Sequence, residues 1–568
     1  MTLGSALQIG RSALITHQAA IEVAGNNLAN MATQGYHRQR ILLEPLRSQQ
    51  LQAGIFVGRG VQIQSITRQV DAALEGRVRA NLADQSFSLA RRDILSQIEV
   101  LQNEFSDSDL SSHLNTFFNA WSELANSPQN NALRTVVLHQ GSTLSDFVQT
   151  LRAGLGNMLA QVDDSIGDAT VAVNNLLDEI AVINEQIVKS NVGAGGSADL
   201  LDIRDSLLGQ LAEFLDISVI EQPSGLVDVF VGSIPMIING INLGIGVRDQ
   251  TVDGERVIDL VLKDNGSVLL PTSGRLGALI EAREQDVNFA LNELDGFINT
   301  FIYEINKTHS QGQGLVGFET VTGSNRVADQ GVALNDSQSG LKFTPVHGSL
   351  RLHVLQRSIG QRQSTTLAVD LDGIDPANDT NLSALAAAID AVDNVGASVT
   401  ADGRLVISAT TSDFEFSFSD DTSGVLAALG INSYFAGSNA EDITVNAEVS
   451  ENPSFLAAAL GHLPGDNSNT LALAALRDQG VDSLNGLTIN EAWASHVENF
   501  AVRLDQTNQQ FEAETLVGGN LSAQQQSISG VNADEEVINL MAFQRAYQSS
   551  ARFLQVVDEL LETLMSLA

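Results

Sequence analysis

The sequence predicts an α+β, multidomain and elongated chain. Its N- and C-terminal helices pair in a coiled-coil stem or bundle, and β-rich outer domains are inserted between them. Three observations carry this. Apolar residues recur every seven positions at both ends of the chain. Strand-like alternation and hairpin turns concentrate in the middle. The 568 residues suffice for about four domains at roughly 150 residues each.

Residues 1–70 begin with a helix. Leu7, Leu14, Ile21 and Leu28 hold one heptad position, and Leu3, Gly10, His17, Ala24 and Met31 hold the position three further on. The helix should stop near Thr33-Gln34-Gly35, where glycine accepts a left-handed conformation. A β-like stretch, Gly54 to Ile66, follows.

Residues 71–215 read as helical. Ile94, Ile98, Leu101 and Phe105 make one stripe, and Leu114, Phe117, Phe118, Trp121 and Leu124 the next, closed at Pro128. A long stripe from Leu133 to Ile187 is broken by Gly193-Ala-Gly-Gly196, and a short helix spans Leu200 to Leu215. Residues 216–272 alternate like strands. Val227, Val229 and Val231 share a face, and Asn265-Gly266 signals a hairpin.

Residues 273–311 are helical again. Residues 312–452 read as one or more β-rich outer domains, with a hairpin at Thr400–Arg404 and alternating Phe414, Phe416 and Phe418. Residues 453–528 are helical, with a turn-rich break expected near Gly518-Gly519. Residues 529–568 form a last helix that mirrors the first. Leu540, Tyr547, Leu554 and Leu561 hold one heptad position, and Phe543, Ser550, Val557 and Leu564 its partner. Asn532 can cap it, and Asp534, Glu535 and Glu536 suit its N-terminus.

The chain carries 30 Lys+Arg against 68 Asp+Glu, a net charge of −38. Such acidity argues against nucleic-acid binding and against docking on anionic membranes. The first 100 residues differ, with 10 basic and 7 acidic side chains. Cysteine is absent, which excludes disulfides and thiolate sites. The first ten residues lack a basic, continuously apolar secretory signal, and no stretch reads as a membrane span.

No catalytic constellation stands out, so neither an enzyme nor a cofactor is expected. His347 and His353 share strand parity, but no carboxylate pair lies near them in sequence. Asp370-Leu-Asp-Gly-Ile-Asp375 resembles a calcium loop, but its glycine falls at the fourth position instead of the sixth. It reads as a surface turn, and no metal site is expected.

At both ends the residues become specific. Gly25-Asn-Asn-Leu-Ala-Asn-Met-Ala-Thr-Gln-Gly-Tyr-His-Arg-Gln-Arg40 resembles the rod motif of the axial proteins of the bacterial flagellum. Ser529-Gly-Val-Asn-Ala-Asp-Glu-Glu536, Phe543-Gln-Arg-Ala-Tyr-Gln548 and Val557-Asp-Glu-Leu-Leu-Glu-Thr-Leu564 resemble their C-terminal motif. The Ser529–Glu536 opening of this C-terminal stretch points to the hook-associated, hook–filament junction branch. Phe117–Pro128 with Arg134, Asp199–Leu211 and Ala427–Asn432 are similar to internal segments of the same branch.

The resemblance implies a structural protein of the flagellum, extracellular at the hook–filament junction and exported without a cleaved signal peptide by the flagellar type III apparatus. Terminal helices would form an inner tube by self-assembly, and middle domains would face outward. The implied partners are the hook protein, a second junction protein and a cytoplasmic export chaperone on the C-terminal helix.

Leu3, Leu7, Leu14, Ile21 and Leu28, with Leu540, Phe543, Tyr547, Leu554, Val557, Leu561 and Leu564, are the expected assembly seam. Asn26, Asn27, Asn30, Gly35 and Tyr36 are expected to form a turn that closes the first helix and docks onto neighbours. A lone subunit is expected to have nothing against which to bury its terminal seams. Another axial protein, hook or second junction protein, and a secreted coiled-coil adhesin are the alternatives.

Overall fold

The computed structural model describes residues 3–52, 55–104, 108–191, 198–252, 255–374, 378–461, 463 and 465–567. Expectations at Gly54, Phe105, Gly193–Gly196 and Asp375 lie outside the described residues, as does the side chain of Leu3.

The helices are α1 (Leu3–Ala29), α2 (Ala72–Gln102), α3 (Leu110–Asn126), α4 (Asn131–Asn191) and α5 (Ala198–Phe214). Then α6 (Gly274–Glu281) passes through a π-helical turn, Ala282–Val287, into α7 (Asn288–His309). Short helices α8 (Leu382–Asp390), α9 (Val425–Leu429) and α10 (Ala447–Glu451) lie in the predominantly β segment. The chain continues with α11 (Ser468–Ala475), α12 (Ile489–Ser529) and α13 (Ala533–Leu567). Two compact units result. One comprises residues 1–94, 161–283 and 505–568, the other residues 95–160 and 284–504.

In the first unit α1 packs on α13. The strand Gln39–Pro45 pairs antiparallel with Val61–Arg68. Strands Ile217–Glu221, Val227–Val231, Ile234–Ile238 and Ile241–Asn242 form one sheet, and Ile245–Val252, Glu255–Leu262 and Val268–Leu269 another. The turn at Asn265-Gly266 forms with Gly266 at φ 72°.

Two asparagines of α4 anchor these sheets. Asn174 exchanges hydrogen bonds with the main chain of Ile245, both at 2.9 Å. The buried Asn184 does the same with Val227, at 3.1 and 3.2 Å. An amide side chain carries both a donor and an acceptor, so each one satisfies a strand group that burial would otherwise leave unpaired.

In the second unit Phe117, Phe118 and Trp121 of α3 meet Phe301 of α7, with Tyr434 and Phe435, in an edge-to-face cluster. Tyr434 donates to the Val137 carbonyl at 2.8 Å. Gly141 permits this, because a Cβ there would meet the Tyr434 Oη at 2.1 Å. Buried Arg134 donates to the carbonyls of Pro128, Pro453 and Leu456. The segment 318–431 adds a core of its own, from Phe318 through Leu352 and Phe418 to Ile431.

Several expectations change. Helix α1 ends at Ala29, and Asn30–Gly35 form the turn. Helix α12 runs unbroken through Gly518-Gly519. Gly518 lies against α2, where a Cβ would meet Asn81 Oδ1 at 2.6 Å, so this glycine serves packing inside a helix and ends nothing. Residues 312–452 contain α8, α9 and α10 besides their strands. Between Leu456 and Asn467 the described residues hold no helix, because the chain there supplies hydrogen bonds to Gln313, His309 and Asn469.

His347 does have a carboxylate pair, Asp370 and Asp372, brought to it by a hairpin. His353, in contrast, is buried between the hydroxyls of Ser364 and Ser419.

His309 is fully buried, with Nδ1 2.9 Å from the Asn432 carbonyl and Nε2 accepting the Ala457 N–H at 3.0 Å. Burial pushes its pKa down to about 4. A folded value below the unfolded one means stability that is present above about pH 6.5 and lost as pH falls toward 4. The His309 ring should therefore show no NMR titration between pH 8 and about pH 5. A midpoint near 6.5 would overturn the neutral buried assignment.

Candidate assembly site: a polar knot beneath the terminal helix pair

Helix α1 ends in a chain of short-range bonds. Asn30 Nδ2 donates to the Asn26 carbonyl at 3.0 Å and to Asn26 Oδ1 at 2.8 Å, and Thr33 donates to Asn30 Oδ1 at 3.2 Å. Gly35 has φ 78° with open space around it, so glycine is required there by backbone conformation alone. The turn aims Tyr36 back at the helix.

At the centre is Asn27, only 1% exposed. Its Nδ2 donates to the Gln39 carbonyl at 2.9 Å and to Glu536 at 3.1 Å. Its Oδ1 accepts from Tyr36 Oη at 2.8 Å and from the Gln39 N–H at 2.9 Å. Every donor and acceptor of this amide is used. Burial, then Asp202, Asp199 and Glu536, push Tyr36 up to about 12, which keeps its phenol a donor.

Glu536 is 3% exposed, in the first turn of α13. Arg38 grips it with Nε at 2.8 Å and a second nitrogen at 2.6 Å, and reaches Glu535 at 2.9 Å. The Arg38 N–H donates to the Ser529 carbonyl at the end of α12. Asn532 caps α13, accepting the Asp534 N–H at 3.0 Å.

Buried His37 completes the knot. Its Nδ1 lies 2.7 Å from Asp202 of α5, and its Nε2 lies 3.6 Å from Glu75 of α2. Glu75 also accepts from Gln525 of α12 at 2.7 Å. Arg68 pairs with both Asp202 at 2.6 Å and Asp205 at 2.8 Å. Burial alone would push His37 down. The Asp202 and Glu75 hydrogen bonds outweigh it and raise the pKa to about 9.

The seam above the knot is antiparallel: Asn27 faces Glu536, and Gly10 faces Leu554. A Cβ on Gly10 would meet Leu554 Cδ2 at 2.6 Å. The residues that α1 buries include Gly10, Thr16, Ala20, Val23 and Ala24. Leu7, Leu14, Ile21 and Leu28 are half-buried beside them, as are Leu540, Phe543, Leu554 and Leu561 on α13. Val557 is buried. Tyr547 and Leu564 are 37% and 57% exposed, and Met31 is also exposed.

Each terminal seam therefore has the other as partner within one chain. This corrects the expectation that a lone subunit has nothing to bury them against. Asn27 and Tyr36 lie in the knot, Gly35 in its turn, and Asn26 and Asn30 on its outer side. Beside them opens a polar cleft of about 1060 Å³ between residues 30–38 and the α12–α13 junction.

Sequence reasoning missed His37, Arg38, Arg68, Glu75, Asp202 and Glu536 as members of one site. A signal was present: Asp199, Asp202 and Asp205 recur at three-residue spacing on α5, opposite a basic N-terminal segment.

Residues 95–326 match the family described as the flagellar hook-associated protein FlgK helical domain. Residues 7–37 match the flagella basal body rod protein family, and residues 524–567 the flagellar basal body rod FlgEFG protein C-terminal family. The chain is 25% identical to flagellar hook-associated protein 1 of Escherichia coli K12, over 100% of both chains. It is 26% identical to that of Salmonella typhimurium, again over 100% of both. The Bacillus subtilis protein of that name is 23% identical over 99% of this chain and 97% of its own. The structure of the flagellar hook junction protein FlgK from Burkholderia pseudomallei shares the fold. The TM-score is 0.50 at 15% identity, over 80% of this chain and 100% of the other.

Two outcomes follow from the knot. Glu536→Ala, which strands Arg38 and Asn27, should cost about 3–5 kcal/mol in urea unfolding. A loss below about 1 kcal/mol would place Glu536 outside the stabilising network. The raised His37 value gives stability that is complete below about pH 6.5 and lost as pH rises through about 9. Melting temperature should fall from pH 7 to pH 9.5, and Asp202→Asn should flatten that slope.

Proposed function

We propose how this chain, which belongs to the flagellar hook-associated protein 1 family, uses its terminal helix pair. It is a structural protein of the bacterial flagellum, a component of the hook–filament junction. No helix among the described residues is long and apolar enough to cross a membrane.

The observation that carries the mechanism is a second apolar stripe on α13. One side of the helix covers α1, while Ile538, Met541, Val556 and Leu560 are exposed elsewhere on it. A helix with two apolar faces suits a bundle in which each pair packs against neighbouring pairs. Repeated head-to-tail contacts of one kind build a tube.

In this reading the α1–α13 pair is the unit of the inner tube. The exposed turn at Asn26 and Asn30 meets the adjacent subunit. The hook protein contacts one end of the zone and a second junction protein the other. Before assembly a cytoplasmic chaperone covers the α13 stripe, and the chain leaves through the flagellar type III apparatus as an uncleaved polypeptide. Packing and mechanical coupling are its work, with no catalysis.

The test separates the two faces of α13. Val556→Glu with Leu560→Glu leaves the α1-facing residues intact. The purified variant should keep its helical content, yet cells carrying it should bear hooks without filaments and shed filament subunits into the medium. Ending the chain at Asn539 should do the same. Normal filaments on the double variant would remove the outer stripe from the mechanism.

A further inference from the structure

We propose that His347, Asp370 and Asp372 bind a divalent transition cation, with zinc as the reference ion. Strands Gly348–Gln356 and Gln361–Val369 pair antiparallel, and Gly348 stands opposite Val369. The residues one step beyond, His347 and Asp370, therefore face each other at the open end of this hairpin. Asp372 follows two residues after Asp370, just before the bend at Gly373, whose φ is 68°.

The geometry is close to that of a ligand set. His347 Nδ1 lies 3.1 Å from Asp370 Oδ1. One ligand atom from each of the three residues lies within 4.8 Å of the others. Two ligands of a tetrahedral zinc ion, each about 2.0–2.1 Å from the metal, stand about 3.3 Å apart. The His347–Asp370 edge already has that length. Only the Asp372 carboxylate, exposed on its turn, has to close in. Its Oδ1 accepts the Ile374 N–H at 2.8 Å, which keeps it at the rim of the site.

Without a metal, the His347–Asp370 edge holds the ring proton, which Nδ1 donates to the carboxylate; a cation would take that proton's place between the same two atoms. One imidazole nitrogen and two carboxylates suit zinc, manganese or nickel. Calcium would need six to eight oxygen ligands. The three protein ligands leave the remaining coordination positions to water.

The test uses the full chain after chelator treatment, titrated with Zn²⁺ by calorimetry and with Co²⁺ by visible absorption. The expected result is one saturable site with a cobalt d–d band. His347→Ala and Asp370→Asn should each weaken it at least tenfold. Circular dichroism checks that these surface variants fold. Zinc binding unchanged in His347→Ala overturns the site. So does absence of saturable binding, or a Ca²⁺ response as strong as that to Zn²⁺ and indifferent to His347→Ala.

Discussion

A carboxylate placed in the first turn of a helix is stabilised by that helix's own dipole, but burying it still requires charged partners. Glu536 has a cation in Arg38 and, beside it, a neutral amide donor in Asn27. The three groups come from opposite ends of the chain, so their bonding fixes how α1 and α13 register. With Asn27 opposite Glu536, the antiparallel run places Gly10 against Leu554, where an added Cβ would force the leucine side chain to move. A shift of one residue would bury the wrong face of both helices and strand the carboxylate. The polar contact is therefore the specificity device, and the apolar seam above it supplies the bulk of the burial.

His37 extends this control into the rest of the first unit. It couples α5 through Asp202 and α2 through Glu75, which Gln525 ties to α12. The acids of α5 and the start of α13 thus answer the basic excess of the first hundred residues. Part of the acidity of the last helix, which surface solvation alone would leave unexplained, is consumed in this pairing.

Heptad spacing showed that both terminal segments are helices with an apolar side, and cap residues placed the start of α13. Hairpin signals at Asn265-Gly266 and Thr400–Arg404 were equally readable, because the conformation they demand is local. Spacing placed Gly10 and Ala24 on the seam of α1, but it could not show that these small residues, with Ala20, would be buried more deeply than Leu7, Leu14 and Ile21. Gly518 shows the same limit. A glycine ends a helix or admits a neighbour, and only the position of Asn81 distinguishes the two. The knot was half legible. Asn27 and Tyr36 stood out in the motif, while Asp202 and Glu536 looked like ordinary surface acids until the fold brought them together. The His347 cluster was hidden for the same reason, since its carboxylates lie 23 and 25 residues downstream.

The bond between Asn27 and Glu536 spans 509 positions of sequence. Closing so wide a loop is entropically costly and kinetically late, because almost every other contact in the chain is available first. A polypeptide that emerges amino end first presents α1 and its motif long before their counterparts exist. The knot is then a completion signal. Only a chain delivered to its final helix can settle its opening one, and a prematurely terminated product leaves Arg38 without Glu535 and Glu536 and one Asn27 donor without Glu536.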